Sequence, residues 1–435
     1  MEGGVSGNME GGVHRVVRIG LLGFGTVGSS VYDLIQEQRA EILEATGVEL
    51  QVARILERDL SIDRPGVPQD LFTDDFNDIK GDPSLDIVVE LIGGVDPAHG
   101  FVEGALRAGK SVVTANKQLL ASRGASIFET AKHADAQLRF EASVGGAIPI
   151  IKVMRESMIA AGLHTVYGIV NGTTNYILSE MYKGGGDYEE TLAQAQAFGY
   201  AEPDPTEDVT GGDAAAKMAI AASIAYHSRV TLNDVQCEGL ENVRLEDVQY
   251  ARELGFVVKL VGAARLIDDR VSVRVHPALL SEDHPLAAIN GPDNAIFLEG
   301  HEVGEIMLSG PGAGGVPTST AIVSDIITVV GTKEVGFLQD CSCYKEREFI
   351  PGAEMSSAFF IRVQVEDRAG VLAKISSVFG KHDVSIESLI QKGHGDQAEL
   401  VLITHPTLER YFFAAAKEVD GLSCCLSALT TIRVL

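Results

Sequence analysis

The run RVVRIGLLGFGTVGSSVYDLI, residues 15–35, constrains the fold more than any other part of the chain. An apolar stretch of strand length passes through a glycine turn into a helical pattern, and Gly23, Gly25 and Gly28 keep GxGxxG spacing. Each glycine has a task in such a turn: one makes the bend, one lets the backbone approach a pyrophosphate, and one lets the helix lie against the strand. The helix start then offers unpaired N–H groups and a positive dipole end to phosphates. The motif alone is weak and equally describes a structural glycine turn. Placed between a strand and a helix at the head of an alternating domain, it reads as a dinucleotide site made by Gly23, Phe24, Gly25, Thr26, Val27 and Gly28.

Strand-like runs follow at LQVARILE, DIVVELIG, SVVTAN and LRFEASV, with helical stretches between several of them. Strands alternating with helices predict an α/β domain, a Rossmann-type doubly wound parallel sheet over residues 14–145, completed by a helix near 315–333. The second strand ends at Glu57 and Arg58, about 30 residues past the motif, longer than the roughly 20 usual for the ribose-binding acid. Glu57 accepting from a ribose 2′-hydroxyl favours NAD, whereas Arg58 pairing with a 2′-phosphate favours NADP. The sequence leaves both open.

Residues 146–314 read as an α+β domain for substrate binding and dimerisation. Helical segments from Ile148 to Tyr226 are interrupted by the strand-like HTVYGIV, and FVVKLVGAARL, RVSVRVHPALL and AIFLEGHEVGEIMLSG alternate as half-buried antiparallel strands do. GPGAGGVPTSTAIVSDIITVV is a glycine turn feeding an apolar helix. Residues 335–356 are polar and aperiodic, as a linker is, and residues 357–435 run strand, helix, strand, strand, helix, strand.

At 435 residues the chain exceeds one ordinary core, and a net charge of −26 argues against nucleic acid and against anionic membranes as partners. Five cysteines, irregularly spaced, make neither a disulfide framework nor a metal motif. The Gly-rich stretch of residues 1–13 lacks a basic region followed by an apolar one, so it is expected to be a disordered tail and not a signal peptide. No apolar run of spanning length stands out, and the cytoplasm is the expected compartment.

TGGDAAAKMAIAAS, residues 210–223, places Asp213 and Lys217 on one helix face among Ala, Met and Ile. A surface ion pair explains that spacing, but a helix apolar nearly all round is normally buried, and a buried lysine needs a reason.

The longer segment AQAFGYAEPDPTEDVTGGDAAAK closely resembles the signature of homoserine dehydrogenases, through Ala195, Gly199, Asp204, Pro205, Asp208, Gly211, Asp213 and Lys217. GFGTVG, VVELIGG, TANK, VNGTTNYIL and the Gly310–Val330 run agree with it, so the resemblance covers nearly everything but the tail. It implies reversible NAD(P)-dependent hydride transfer between L-aspartate 4-semialdehyde and L-homoserine, a step in threonine, methionine and isoleucine biosynthesis. A carbonyl that receives a hydride becomes an alkoxide and needs a proton. With no zinc cluster in the sequence, Lys217 is the expected acid, provided burial lowers its pKa. Asp213 orients it or binds the substrate ammonium group, and Lys117 is the second lysine, near the reacting oxygen and the nicotinamide.

The same resemblance assigns Glu202, Asp208, Gly172 and Thr173 to substrate and adds Gly93, Asn116 and Gly312 to the cofactor site. In EASVGGAIPI, Glu141 with the carbonyls of Val144, Gly146 and Ile148 resembles the family's monovalent-cation loop (Na+ or K+), although a tight turn without metal reads equally well. Residues 357–435 resemble a ferredoxin-like βαββαβ ACT domain, through Asp367, Arg368, Gly370, Val371 and Leu372 in VEDRAGVLAKISSVF. That implies an amino-acid effector, threonine first, or a dimerisation module without one. A homodimer or homotetramer is expected. The competing readings are another Rossmann-type amino-acid dehydrogenase and a non-catalytic amino-acid sensor.

Overall fold

The computed structural model describes residues 15–435 apart from Gly185, Glu334 and Phe337; the expected N-terminal tail lies outside the described residues. The chain forms two compact units, residues 15–143 with 314–341, and residues 144–313 with 342–435.

The first unit is built on six strands, β1 (Arg15–Leu22), β2 (Val48–Leu56), β3 (Phe72–Thr73), β4 (Ile87–Glu90), β5 (Ser111–Thr114) and β6 (Leu138–Arg139). They run parallel in the order β3-β2-β1-β4-β5-β6. Helices cover both faces of such a sheet, which is why β1 buries Ile19, Leu21 and Leu22 completely instead of alternating. The Thr26–Glu37 helix buries Gly28, Val31, Tyr32 and Ile35, a stripe at i, i+3, i+4 and i+7. The order reverses between β1 and β4, and the carboxyl ends of strands at such a switch are where this architecture binds ligands.

The Gly315–Thr332 helix returns to this unit and packs Ile322, Val323, Ile326 and Val329 into the core of Val17, Ile19, Tyr32 and Ile35. At eighteen residues it is long and apolar enough to cross a membrane, which the sequence reading did not anticipate. Its apolar face is taken up by the sheet, and its buried Asp325 accepts from the Glu141 backbone N–H at 2.7 Å, as suits the core helix of a globular unit.

In the second unit β7 (Leu163–Ile169), the short β8 (Gln236–Cys237), β9 (Phe256–Ile267), β10 (Arg270–Ser281), β11 (Asp293–Gly300) and β12 (Gly304–Pro311) share a sheet with β13 (Ser356–Glu366), β14 (Ile386–His394), β15 (Gln397–Thr404) and β17 (Thr430–Val434). A two-residue strand, β16 (Thr407–Leu408), pairs with the start of β13. β9 and β10 form a long hairpin whose turn residues, Asp268 and Asp269, have φ of 49° and 61°, as a two-residue primed turn requires.

The C-terminal strands stand in the order β14-β15-β13-β17, with the Val371–Lys381 and Glu409–Asp420 helices packing Ile375, Phe379, Phe412 and Ala415 on Phe359, Ile361, Val363 and Val365. β17 also pairs in parallel with β10, so this module continues the sheet of the substrate domain. Within residues 335–356, the sequence-read linker, Val271 exchanges backbone hydrogen bonds with Glu348 and Ile350.

Candidate active site

Two paired glycines position the lysine that the sequence singles out. Gly168 on β7 and Gly262 on β9 face each other, and a Cβ on either would press against Met218, at 2.3 Å from Met218 Cγ in the case of Gly262. Glycine in a strand marks a close approach of this kind. Met218 so seats the Gly212–Ala225 helix on the sheet, and its neighbour Lys217 is one of the few residues of that helix left short of full burial. Lys217 Nζ donates to Val170 O at 2.7 Å and to Asp213 Oδ2 at 2.8 Å, with 12% of its side chain exposed and 9% of Asp213's. The pair is therefore internal and still reachable.

Asn171 organises the rest. Its side-chain oxygen accepts from Thr174 N at 2.9 Å, capping the Gly172–Lys183 helix. Its amide uses both donors on carboxylates, Asp208 Oδ1 at 2.6 Å and Asp213 Oδ2 at 2.8 Å. Thr173 Oγ1 donates to Asp208 Oδ2 at 3.0 Å and to Tyr200 O at 2.6 Å. Gly172 leaves room for Pro292 O, which a Cβ would meet at 2.6 Å. Lys217, Asp213, Asp208, Thr173 and Gly172 are thus gathered by a residue the sequence reading did not name. An Asn just before a helical run was the available signal. Glu202 stands apart, exposed on its loop, with its backbone oxygen accepting from Gln196 Nε2 at 3.2 Å. Two carboxylates against one ammonium leave the pocket anionic, the field an amino-acid ammonium group favours.

In the first unit the three motif glycines differ in what they are for. Gly23 holds φ at 101°, and a Cβ on Gly28 would lie 2.3 Å from Gly23 O, so the chain itself requires both. A Cβ on Gly25 would meet nothing within 4 Å. Its bareness answers no internal need, and it opens a helix whose first N–H groups have no side-chain cap. A bare glycine at an uncapped helix start is the arrangement that phosphate-binding turns use. Phe24 packs edge-on against Tyr32 and Phe72, and Thr26 and Val27 open the helix.

The end of β2 is more committed than the sequence suggests. Glu57 accepts from Phe24 N at 3.1 Å and Arg58 N at 2.8 Å, and Arg64 approaches it at 3.5 Å, while the Arg58 side chain is exposed. Beyond β4 and β5, the fully buried Glu90 accepts from Ile92 N, Gly93 N, Thr114 Oγ1 and Asn116 Nδ2. Asn116 also donates to Gly94 O at 2.6 Å and caps the Lys117–His133 helix. Glu90 escaped the sequence reading although it is the one charge closing an apolar strand. It fixes the loop of Gly93 and the start of the helix where Lys117 is the first residue.

Gly312 belongs to the second unit and lies against Asn294, whose Cγ a Cβ would meet at 2.0 Å. Gly146 in turn abuts Gly312. Glu141 falls in the first unit, and Val144, Gly146 and Ile148 in the second. In the C-terminal module, Gly370 has φ of 89° and caps the Val371–Lys381 helix, Asp367 accepts from Gln391 Nε2 at 3.2 Å, Arg368 pairs with Glu366, Val371 is buried and Leu372 is 36% exposed.

A doubly wound parallel sheet with an open glycine turn, joined in one chain to a lysine–carboxylate pocket, defines a nicotinamide-dependent oxidoreductase with a C-terminal module of βαββαβ form. Family models agree: one described as homoserine dehydrogenase matches residues 149–327, one described as homoserine dehydrogenase, NAD binding domain, matches 23–141, and an ACT domain matches 359–410. The chain is 42% identical to a homoserine dehydrogenase of Corynebacterium glutamicum over 92% of this chain and 91% of that one. With that of Bacillus subtilis it shares 38% over 97% and 98%. A homoserine dehydrogenase structure from Thiobacillus denitrificans superposes with a TM-score of 0.91 at 36% identity, covering 97% of this chain and 98% of that one. A hyperthermophilic archaeal homoserine dehydrogenase in complex with NADPH gives 0.62 at 28% identity, over 73% and 98%. The chain belongs to the homoserine dehydrogenase family.

Proposed function

We propose that the chain interconverts L-aspartate 4-semialdehyde and L-homoserine, with Lys217 moving the proton at the substrate oxygen. The observation that carries this is the Lys217 ammonium, held by Val170 O and Asp213 with 12% of its side chain still exposed. A bound nicotinamide would supply or remove the hydride. As the carbonyl oxygen gains negative charge, Lys217 Nζ donates a proton to it and becomes a neutral amine; homoserine oxidation returns that proton. Asp213, near the positive end of its helix, keeps Nζ aimed, and Asp208 and Thr173 bind the amino-acid end of the substrate, with Gly172 shaping the wall and Glu202 guarding the entrance.

Gly23 to Gly28 would cradle the pyrophosphate, and Gly93, Asn116 and Lys117 would hold the nicotinamide end, where the Lys117 ammonium would supply positive charge. NADP is the favoured cofactor, because the Glu57 carboxylate is already engaged by two backbone N–H groups and Arg64, while Arg58 extends an exposed guanidinium. The Val144, Gly146 and Ile148 carbonyls would supply oxygens to a monovalent cation. These oxygens suit a hard ion, and Asn294, buried beside Gly312 with neither side-chain polar atom partnered among the described residues, supports a missing group nearby. Threonine is the proposed effector at Asp367–Leu372, the proposed compartment is the cytoplasm, and β12, at the sheet's edge, favours assembly into a dimer or tetramer.

The test is the semialdehyde-dependent oxidation rate with NADPH and with NADH, each with and without threonine. Turnover is expected with NADPH preferred, and Arg58→Ser should cut the NADPH-to-NADH ratio of kcat/KM by about tenfold, the worth of one charge-assisted contact. No oxidation with the semialdehyde, alongside oxidation with 2-oxo acids and ammonia, would replace the substrate. An unchanged ratio in Arg58→Ser would remove the assignment of that residue.

A further inference from the structure

A buried ion cluster ties the C-terminal module to the turn that opens the Lys217 helix. Glu409, 2% exposed at the start of the Glu409–Asp420 helix, accepts from Arg274 of β10 at 2.5 Å, from Arg433 of β17 at 3.0 and 3.1 Å, and from Ser357 at 2.9 Å. Arg433 also donates from Nη1 to Glu238 Oε2 at 2.9 Å. Glu238 follows β8, which pairs in parallel with Arg274 and Val275 of β10, and its own N–H donates to Val275 O at 2.8 Å. One guanidinium therefore joins the C-terminal module to the segment carrying β8.

That segment lies directly on residues 209–211. Leu240 N donates to Val209 O at 2.9 Å and Cys237 Sγ lies 3.2 Å from Thr210 O. Gly239 is so close that a Cβ would sit 2.3 Å from Val209 O. Gly211, left-handed at φ 87°, would bring a Cβ within 2.8 Å of Cys237 Sγ. Asp208 lies just before this clamped turn and Asp213 just after it, so a shift of residues 237–240 would bear on the spacing of the two carboxylates that Asn171 bridges.

We propose that Glu238, held by Arg433, is a positioning residue that braces the Thr210–Gly211 turn and so sets the spacing of Asp208 and Asp213 in the substrate pocket. The proposal rests on the reading of Asp208, Asp213 and Lys217 given above. It makes the C-terminal module, through Glu409 and Arg433, part of what holds the pocket in register, without any residue of that module touching substrate.

Glu238→Gln separates this role from a structural one. Arg433 keeps Glu409 as its partner, so no buried charge is orphaned and the chain should fold. In the full-length variant, backbone amide exchange at residues 210–214 is expected to quicken about two- to fivefold, an opening-equilibrium change of the size that one lost partly exposed ion pair produces. KM for homoserine should rise several-fold with kcat within about twofold, and Glu238→Asp should restore part of it. Unchanged exchange overturns the brace. Quickened exchange with unchanged KM overturns the positioning role. Lys217→Met, assayed alongside, judges the site reading separately: full turnover there removes the site while the exchange result still decides the brace.

Discussion

Lys217 and Lys259 belong to the same unit and bear on the same stretch of chain, yet their surroundings differ in the two respects that chemistry needs. Lys217 reaches Val170 O and a carboxylate, Asp213. Lys259 on β9 is completely buried; it donates to Asn175 Oδ1 at 2.9 Å and Ile289 O at 2.5 Å, and no carboxylate pairs with it among the described residues. Burial, and secondarily the charge of Lys183, pulls its pKa down to about 7. Burial alone therefore does not mark a catalytic lysine. What sets Lys217 apart is a carboxylate partner together with residual exposure, the combination that the proposed proton transfer needs.

The comparison breaks most sharply at kcat. Lys217→Met should lower kcat for homoserine oxidation at saturating substrate by about 10³-fold, in the range measured for lost general acid–base groups. Lys259→Met should leave kcat within about threefold, because no reacting atom reaches a fully buried side chain. Steady-state rates on both variants, with circular dichroism to confirm folding, decide it; a large loss in Lys259→Met with an intact fold would reverse the assignment.

The next effect lies in stability and belongs to Lys259. Its folded-state pKa of about 7 falls below the roughly 10.4 of an unfolded lysine, so between these values the unfolded chain holds a proton that the native one lacks. Stability should then rise with pH across that window and lose this contribution as pH falls through 7. From pH 7 to pH 9 the gain from this one group is of the order of 2 kcal/mol. Urea denaturation of wild type and Lys259→Met at both pH values isolates it: the difference between the two proteins should change with pH in this direction, and a difference independent of pH would show that Lys259 stays charged in the fold.

The two lysines were unequally legible in the sequence, for a physical reason. Lys217 sits in a dense signature and one helical turn from its carboxylate, so local spacing exposes it. Lys259 lies in FVVKLVGAARL, where a charge on an alternating strand normally faces water, and only the tertiary packing of Asn175 and Ile289 makes it internal. The same divide runs through the fold. Strand–helix alternation and apolar periodicity gave the order of elements in both units. The short strands β3 and β8 and the junction of β10 with β17 each rest on few paired residues and leave no periodic trace. In the site, Asn171 joins carboxylates 37 and 42 residues away, a bridge that only the fold creates. Glu90 behaves alike in part, a single acid whose loop N–H partner at Ile92 is local but whose Thr114 hydroxyl partner only the next strand brings near.

The smallest effect is the most diagnostic of purpose. The Asp213–Lys217 pair is mostly internal, with 12% and 9% of the two side chains exposed, so the desolvation of both charges offsets much of their attraction. Asp213 also retains the Asn171 amide when Lys217 is gone. Lys217→Met leaves Asp213 one partner short and should therefore lower the unfolding free energy by about 1–2 kcal/mol in urea titration, while abolishing nearly all turnover. A loss of several kcal/mol would make the pair a structural strut whose catalytic effect follows from misfolding. A loss within that range together with lost rate would leave the ammonium no role but the one at the substrate oxygen.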